Sequence, residues 1–291
     1  MSSTIGSIVG IFNRILASTL KKCEFCNFKI RHYHQSLKGD INFAMTVKDS
    51  YTKVFAEAKR VMVVMSHPDD AEVFAAGTIA RLVKSGVRVR VVKMTSGSRG
   101  SRQNKYKDGE LSNLRESEDT ASMAVLGVLP EDNIYFQIED GEVENDLKTI
   151  GRVAEQIRLF KPDVVITQNP DDIITTRRDG TSHVNHRDHR NTARSVIDAA
   201  YPYARDISFF PEHFKNSEAQ SHKVERILLS DSHDHPEELF IEVTSVMETR
   251  KAAISCHKSQ FDPEVIERVT YHILHKQGKK YFERFRYAKV R

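Results

Sequence analysis

The stretch Val61-Met62-Val63-Val64-Met65-Ser66-His67-Pro68-Asp69-Asp70-Ala71-Glu72 decides how the rest of the chain is read. Residues 61–65 are an unbroken apolar run, rich in Val and too short for an ordinary helix, which predicts a strand buried on both faces. Pro68 stops the strand and biases His67 towards an extended backbone. From Ala75 the pattern turns helical, with Ile79, Leu82 and Val83 on one face. His67, Asp69, Asp70 and Glu72 are therefore packed into a strand-to-helix turn, where the helix dipole favours ionised carboxylates. The carboxyl end of a central strand is where α/β proteins usually place their chemistry. Capping of the helix by Asp69 and Asp70 is the plainer alternative.

The same alternation runs outward from this stretch. A helical segment (51–59) precedes the first strand, and a helix (75–85), a second strand (87–92), a helix (110–126) ended by Gly127 and a third strand (134–136) follow it. A helix (147–160) then leads to a fourth buried strand, Asp163-Val164-Val165-Ile166-Thr167. After a long polar loop (168–185) come a helix (186–200), strands at 224–229 and 239–243, and helices at 246–257 and 263–275. Repeated strand–helix alternation predicts an α/β fold, Rossmann-like and doubly wound, with a mainly parallel sheet and helices on both faces. The loop Thr95-Ser96-Gly97-Ser98-Arg99-Gly100 matches neither G-x-G-x-x-G nor the P-loop pattern, so it reads as a flexible loop beside a site.

A second polar cluster, His183-Val184-Asn185-His186-Arg187-Asp188-His189, follows the fourth strand and its loop. In a sheet of order 3-2-1-4-5, strands 1 and 4 are neighbours and their loops diverge at the switch point, which brings the two clusters into one crevice. His67, Asp70 and His189 then supply two imidazoles and one carboxylate, the usual donors of a catalytic zinc site with an open position for water. Asp69 is left free as a general base. His186, one helical turn before His189, faces the same pocket as an oxyanion partner or as proton donor to a leaving amine. Asp188 is read as orienting an imidazole, His186 first. His183 is an alternative ligand with poorer spacing, and His257 either lines the pocket or packs.

The motifs H-P-D-D-A-E (67–72) and H-R-D-H (186–189) resemble those of the LmbE-like (PIG-L) N-deacetylase family. The likeness continues through Leu114-Arg115-Glu116 with Leu126-Gly127, Lys161-Pro162-Asp163-Val164-Val165, Asp198-Ala199-Ala200-Tyr201, and Lys251-Ala252-Ala253 with His257-Lys258-Ser259-Gln260. It spans roughly residues 58–286. The resemblance implies a hydrolase with one zinc per chain, or another divalent metal, that removes an acyl group from an N-acylated amino sugar or glycoconjugate. It implies His67, Asp70 and His189 as metal ligands, Asp69 as base, His186 with Asp188 behind it at the tetrahedral intermediate, and Arg115 as a substrate contact. One departure stands out: Arg187 replaces the proline of the common H-P-D-H form.

A nucleotide-binding Rossmann-type module without hydrolase activity would use the 97–100 loop instead, but no glycine fingerprint follows strand 1. A catalytically retired interaction protein would not need the full set of site residues that is present.

Composition supports an ordinary globular domain: 291 residues, 39% hydrophobic and 29% charged, with three cysteines that form no disulfide framework and fit a reducing, cytoplasmic setting. The formal net charge of +4 comes wholly from residues 1–44, where six basic residues face Glu24 and Asp40. The neutral body argues against a nucleic-acid partner, and no apolar run reaches the length of a membrane span. The chain divides into a basic, amphipathic extension (1–44) and a deacetylase-like domain (45–291), with Met45 as an alternative start. Residues 1–22 have helical apolar spacing suited to peripheral membrane contact, a transit segment, or packing on the domain or a sister subunit, and a homo-oligomer is expected. Cys23-x-x-Cys26 without a second spaced pair is weak evidence for a structural zinc. His233 and His235 read as an exposed loop, and the basic, aromatic 279–287 as a docked terminal segment.

Overall fold

The computed structural model describes residues 46–100, 106, 109–176, 182–230 and 235–290. The amphipathic extension, the Cys23/Cys26 pair, the boundary at Met45 and His233 lie outside the described residues. All the described residues except Thr46 belong to one compact unit, Val47–Arg291.

Helix α1 (Tyr51–Phe55) leads into β1 (Arg60–Met65), α2 (Asp70–Lys84), β2 (Arg88–Thr95), α3 (Glu110–Leu126), β3 (Asn133–Ile138), α4 (Leu147–Phe160) and β4 (Val164–Thr167). A short hairpin, β5 (Ile174–Thr176) and β6 (Ser182–Val184), precedes α5 (Arg187–Asp198). The chain closes with β7 (Arg226–Leu229), β8 (Glu238–Glu242), α6 (Met247–Ile254), α7 (Pro263–His272), β9 (His275–Gln277) and β10 (Lys280–Lys289). The main sheet runs β3-β2-β1-β4-β7-β10-β8, with β9 paired to β10. Its first five strands are parallel, the expected 3-2-1-4-5 order, and β10 is antiparallel to both β7 and β8.

Strand β1 explains why this sequence makes a three-layer molecule. Val61, Val63 and Met65 point into one core with α2, α3 and α6, while Met62 and Val64 point into the other with α4 and α5. All five are fully buried, and each stabilises the fold by about 1.5–3 kcal/mol relative to exposure. A charge at Val63 would break the sheet at its centre.

The sequence reading and the structure differ at the C-terminus. Residues 279–287 are docked, but as most of β10, an interior strand between β7 and β8 rather than an appended segment. Phe282 and Phe285 are buried, and so is Glu283, which alternation alone would not place inside.

Helices α2 and α5 follow the neighbouring strands β1 and β4 but pack on opposite faces of the sheet. The crevice between their N-terminal ends is the switch point, and both polar clusters open into it.

Candidate active site

His67 leaves β1 through Ser66 and lies over the carboxyl edge of the sheet. Its Nδ1 is 3.3 Å from Asp70 Oδ2, and its Nε2 is 3.1 Å from Asp140 Oδ1 and 3.3 Å from Asp188 Oδ2. Burial lowers the His67 pKa, but Asp140, Asp188 and Asp70 together raise it well above its ordinary value. His189, in the first turn of α5, brings Nε2 to 3.3 Å from Asp70 Oδ1. Burial raises the Asp70 carboxyl, and His189 and His67 more than offset it, holding Asp70 well below the usual carboxylate range. Asp70 Oδ2 also accepts the His67 backbone N–H at 2.9 Å and Gln168 Nε2 at 2.9 Å, so its orientation is set from β1 and from the end of β4. Gln168 is itself fixed by the Ser66 hydroxyl, which donates to Oε1 at 2.8 Å.

The donor atoms of His67, His186 and His189 lie within 4.8 Å of one another. Asp70 meets the two imidazoles through different oxygens, Oδ2 towards His67 and Oδ1 towards His189, each at 3.3 Å, and two imidazoles with a carboxylate are a donor set that suits zinc. The residues fit the metal.

Asp69 adopts a left-handed backbone, φ 97° and ψ −28°, and as the residue before α2 it makes no side-chain cap bond. A strained, non-capping aspartate sets aside the plain capping alternative. Its carboxylate accepts instead from Arg115 Nη2 at 2.9 Å. Burial pushes the Asp69 carboxyl up to about 6, against the downward pull of Arg115.

Arg115 stands on the buried face of α3 and is itself buried. Besides Asp69 it donates to Pro68 O and, at 3.0 Å, to Gly97 O. A Cβ on Gly97 or Gly100 would collide with this guanidinium, so the glycine loop is shaped to close over Arg115 rather than to cradle a phosphate. The sequence reading makes Arg115 a substrate contact, and in the structure its bonds tie it to Asp69 and to the turn at Pro68.

His186 precedes α5, and its Nδ1 accepts the Asp188 backbone N–H at 3.2 Å. That bond leaves the ring proton on Nε2. Burial, then the neighbouring His67 and His189, lower its pKa, so it is a neutral donor. Asp188 lies not against the His186 ring but against His67, and it accepts Gly141 N–H at 2.7 Å and Val143 N–H at 3.3 Å. Arg187, in place of the family proline, donates to Val143 O at 2.9 Å and Gly141 O at 3.2 Å and pairs with Glu144. Together they clamp the loop after β3 onto α5.

That loop carries Asp140, which the sequence reading missed. Arg99 N–H donates to Asp140 Oδ2 at 3.0 Å, and Arg99 Nη1 to Asp140 O at 2.7 Å. The available signal was an Asp-Gly pair at the carboxyl end of a parallel strand. His183 pairs with Thr175 in the β5–β6 hairpin and joins none of the metal-holding groups among the described residues. His257 is fully buried with Nε2 3.0 Å from Glu72 Oε1, and does not line an open pocket.

The switch point of this doubly wound sheet thus gathers two imidazoles, a carboxylate and an aspartate held by Arg115, a donor set able to hold a metal ion. Residues 62–200 match the family model described as PIG-L, GlcNAc-PI de-N-acetylase, the family that the two motifs resemble. The diacetylchitobiose deacetylase of Thermococcus kodakarensis is 26% identical over 218 residues, covering 73% of this chain and 74% of that one. The 4-oxalmesaconate hydratase of Pseudomonas putida is 25% identical over 208 residues, covering 69% and 74%. Among solved structures, the N,N'-diacetylchitobiose deacetylase of Pyrococcus horikoshii superposes with a TM-score of 0.70 at 26% identity, over 81% of this chain and 86% of that one.

Proposed function

We propose that the protein is a zinc-dependent N-deacetylase that removes an acetyl group from a small N-acylated amino sugar or its conjugate. The carrying observation is the convergence of His67, Asp70 and His189, with Asp69 beside them and not engaged as a helix cap. Zinc bound by these three residues supplies a Lewis acid for the acyl oxygen and lowers the pKa of water towards about 7.

The chain's own residues account for the rest. Asp69 takes a proton from the attacking water as its oxygen bonds to the acyl carbon. It returns that proton to the nitrogen as the C–N bond breaks, leaving an amine and a carboxylic acid, and the acid then ionises to solvent. The neutral Nε2–H of His186 donates to the oxygen of the tetrahedral species, where charge develops. Asp188 and Asp140 accept from His67 and keep its other nitrogen free for the metal. Arg115 holds Asp69.

No described helix is long and apolar enough to cross a membrane. A cytoplasmic enzyme, working as a homo-oligomer without a nucleic-acid partner, is the setting we favour from composition.

The test is a screen of N-acetylated amino sugars and their conjugates for amine release, with and without zinc. Because one relative carries a hydratase name, an unsaturated carboxylic acid belongs in the same screen. Zinc-dependent amine release supports the proposal, and hydration without any amine release contradicts it.

A further inference from the structure

Helix α2 takes backbone hydrogen bonds from outside itself where it leaves the metal turn. Here Gly77 N–H donates to Glu283 Oε1 at 2.8 Å and Thr78 N–H to Glu283 Oε2 at 2.7 Å. On the side nearer the metal site, Arg250 donates through Nη1 to Glu72 O at 2.9 Å and through Nη2 to Val73 O at 2.6 Å. Arg250 Nη1 also meets Glu283 Oε1 at 2.7 Å, and Nε donates to Thr270 O at 3.0 Å.

Both charged side chains are fully buried. Space for them depends on Gly77, where a Cβ would sit 2.6 Å from Val243 Cβ and 3.1 Å from Glu283 Oε1. Arg250 comes from α6 and Glu283 from β10, both outside the family-matched residues 62–200.

A buried ion pair is a poor source of stability, because well-packed apolar residues of the same volume often do as well or better. This pair spends its bonds on the backbone that directly follows Asp70. That backbone has an unusual task, since Asp70 and Glu72 are both buried within one turn that starts from a left-handed Asp69.

We propose that Arg250 and Glu283 are positioning residues, spliced into α2 to hold the Asp69–Val73 turn at the orientation that presents Asp69 and Asp70 to the metal. The inference rests on the metal-hydrolase reading above and extends it to the C-terminal part of the chain. The metal turn is then set by β10 and α6 as much as by its own helix.

The test compares full-length wild type with Arg250→Met, Arg250→Lys and Glu283→Gln. Zinc affinity is measured by chelator competition, thermal unfolding with and without zinc, and turnover per bound zinc. Arg250→Met is expected to remain folded and to bind zinc about 10–100-fold more weakly, the range for partners that orient metal ligands. Arg250→Lys should recover part of that loss. Glu283→Gln keeps the shape and one acceptor, and should shift affinity in the same direction by less. A fall in melting temperature with wild-type zinc affinity and wild-type turnover per zinc would overturn the proposal. If Arg250→Met does not fold, Glu283→Gln decides alone by the same criterion. A wild type that binds zinc but releases no amine refutes the deacetylase reading and leaves the affinity comparison decisive here. A wild type that binds no zinc overturns both.

Discussion

Arg115 Nη2 donates to Asp69 Oδ2 across 2.9 Å, and the same guanidinium ties Asp69 to the glycine loop through Gly97 O. The residue expected to activate water is thus held by a cation on a different helix. Arg115→Met should keep the metal, whose ligands it does not touch, and lower kcat by about 10–100-fold. A hydrogen bond to a charged group is worth about 1.5–3 kcal/mol, and tenfold in rate is about 1.4 kcal/mol. An unchanged kcat with a raised KM would make Arg115 the substrate contact that the family resemblance implies.

Asp188 offers a comparison between two assignments. If its carboxylate supports His67, from which it is 3.3 Å, Asp188→Asn should weaken zinc binding by about 10–100-fold. If it serves only His186, zinc binding should hold and kcat alone should fall. The structure favours the first outcome, and zinc titration of the variant reads it directly.

His257 and Glu72 form a fully buried pair below the site. Burial lowers the His257 pKa, but Glu72 outweighs it and raises it to about 9. Burial raises Glu72, and His257 outweighs it and lowers it below its ordinary value. A histidine pKa raised on folding stabilises fully below the unfolded value near 6.5, and that contribution is lost as pH rises through about 9. Glu72, with its pKa lowered on folding, contributes above about 4.5 and loses that contribution as pH falls. The pair is therefore at full strength between about pH 4.5 and 6.5. The melting temperature of zinc-free wild type, taken relative to His257→Gln, should decline from pH 6.5 to above 9. A flat difference would show that the pair does not titrate as a unit.

A chain beginning at Met45 should fold and retain its activity, since Val47–Arg291 has two complete cores of its own. Insolubility of that chain, with activity restored at full length, would make residues 1–44 part of the working protein.

Much of this was legible in the sequence because strands buried on both faces must be continuously apolar. The runs at 61–65 and 163–167 and the Val-rich 87–92 declared themselves, and their order put His67 and His189 in one crevice. The interior place of β10 was not legible. Its charged residues Glu283, Arg284 and Arg286 look solvated by pattern, and only pairing with β7 and β8 shows that Glu283 is spent inside α2. Asp140 was missed for a related reason: it belongs to the loop after an edge strand, and Asp188, Arg99 and the clamped backbone bring it to His67. Asp188 carries the same lesson, since adjacency in sequence suggested His186 while the fold set its carboxylate on His67.

The central claim is that His67, Asp70 and His189 hold zinc while Asp69 handles the proton. Its most direct test is amine release by zinc-loaded wild type and Asp69→Asn, on the best substrate of the screen, with zinc content determined on the same samples. Asn is nearly isosteric with Asp and leaves all three ligands in place, yet it cannot accept the proton. The account predicts equal zinc, about one per chain, and turnover about 10²–10⁴-fold lower in Asp69→Asn. Zinc lost in proportion to activity would make Asp69 a ligand, and zinc and activity both retained would leave the water to another base; either result contradicts the account.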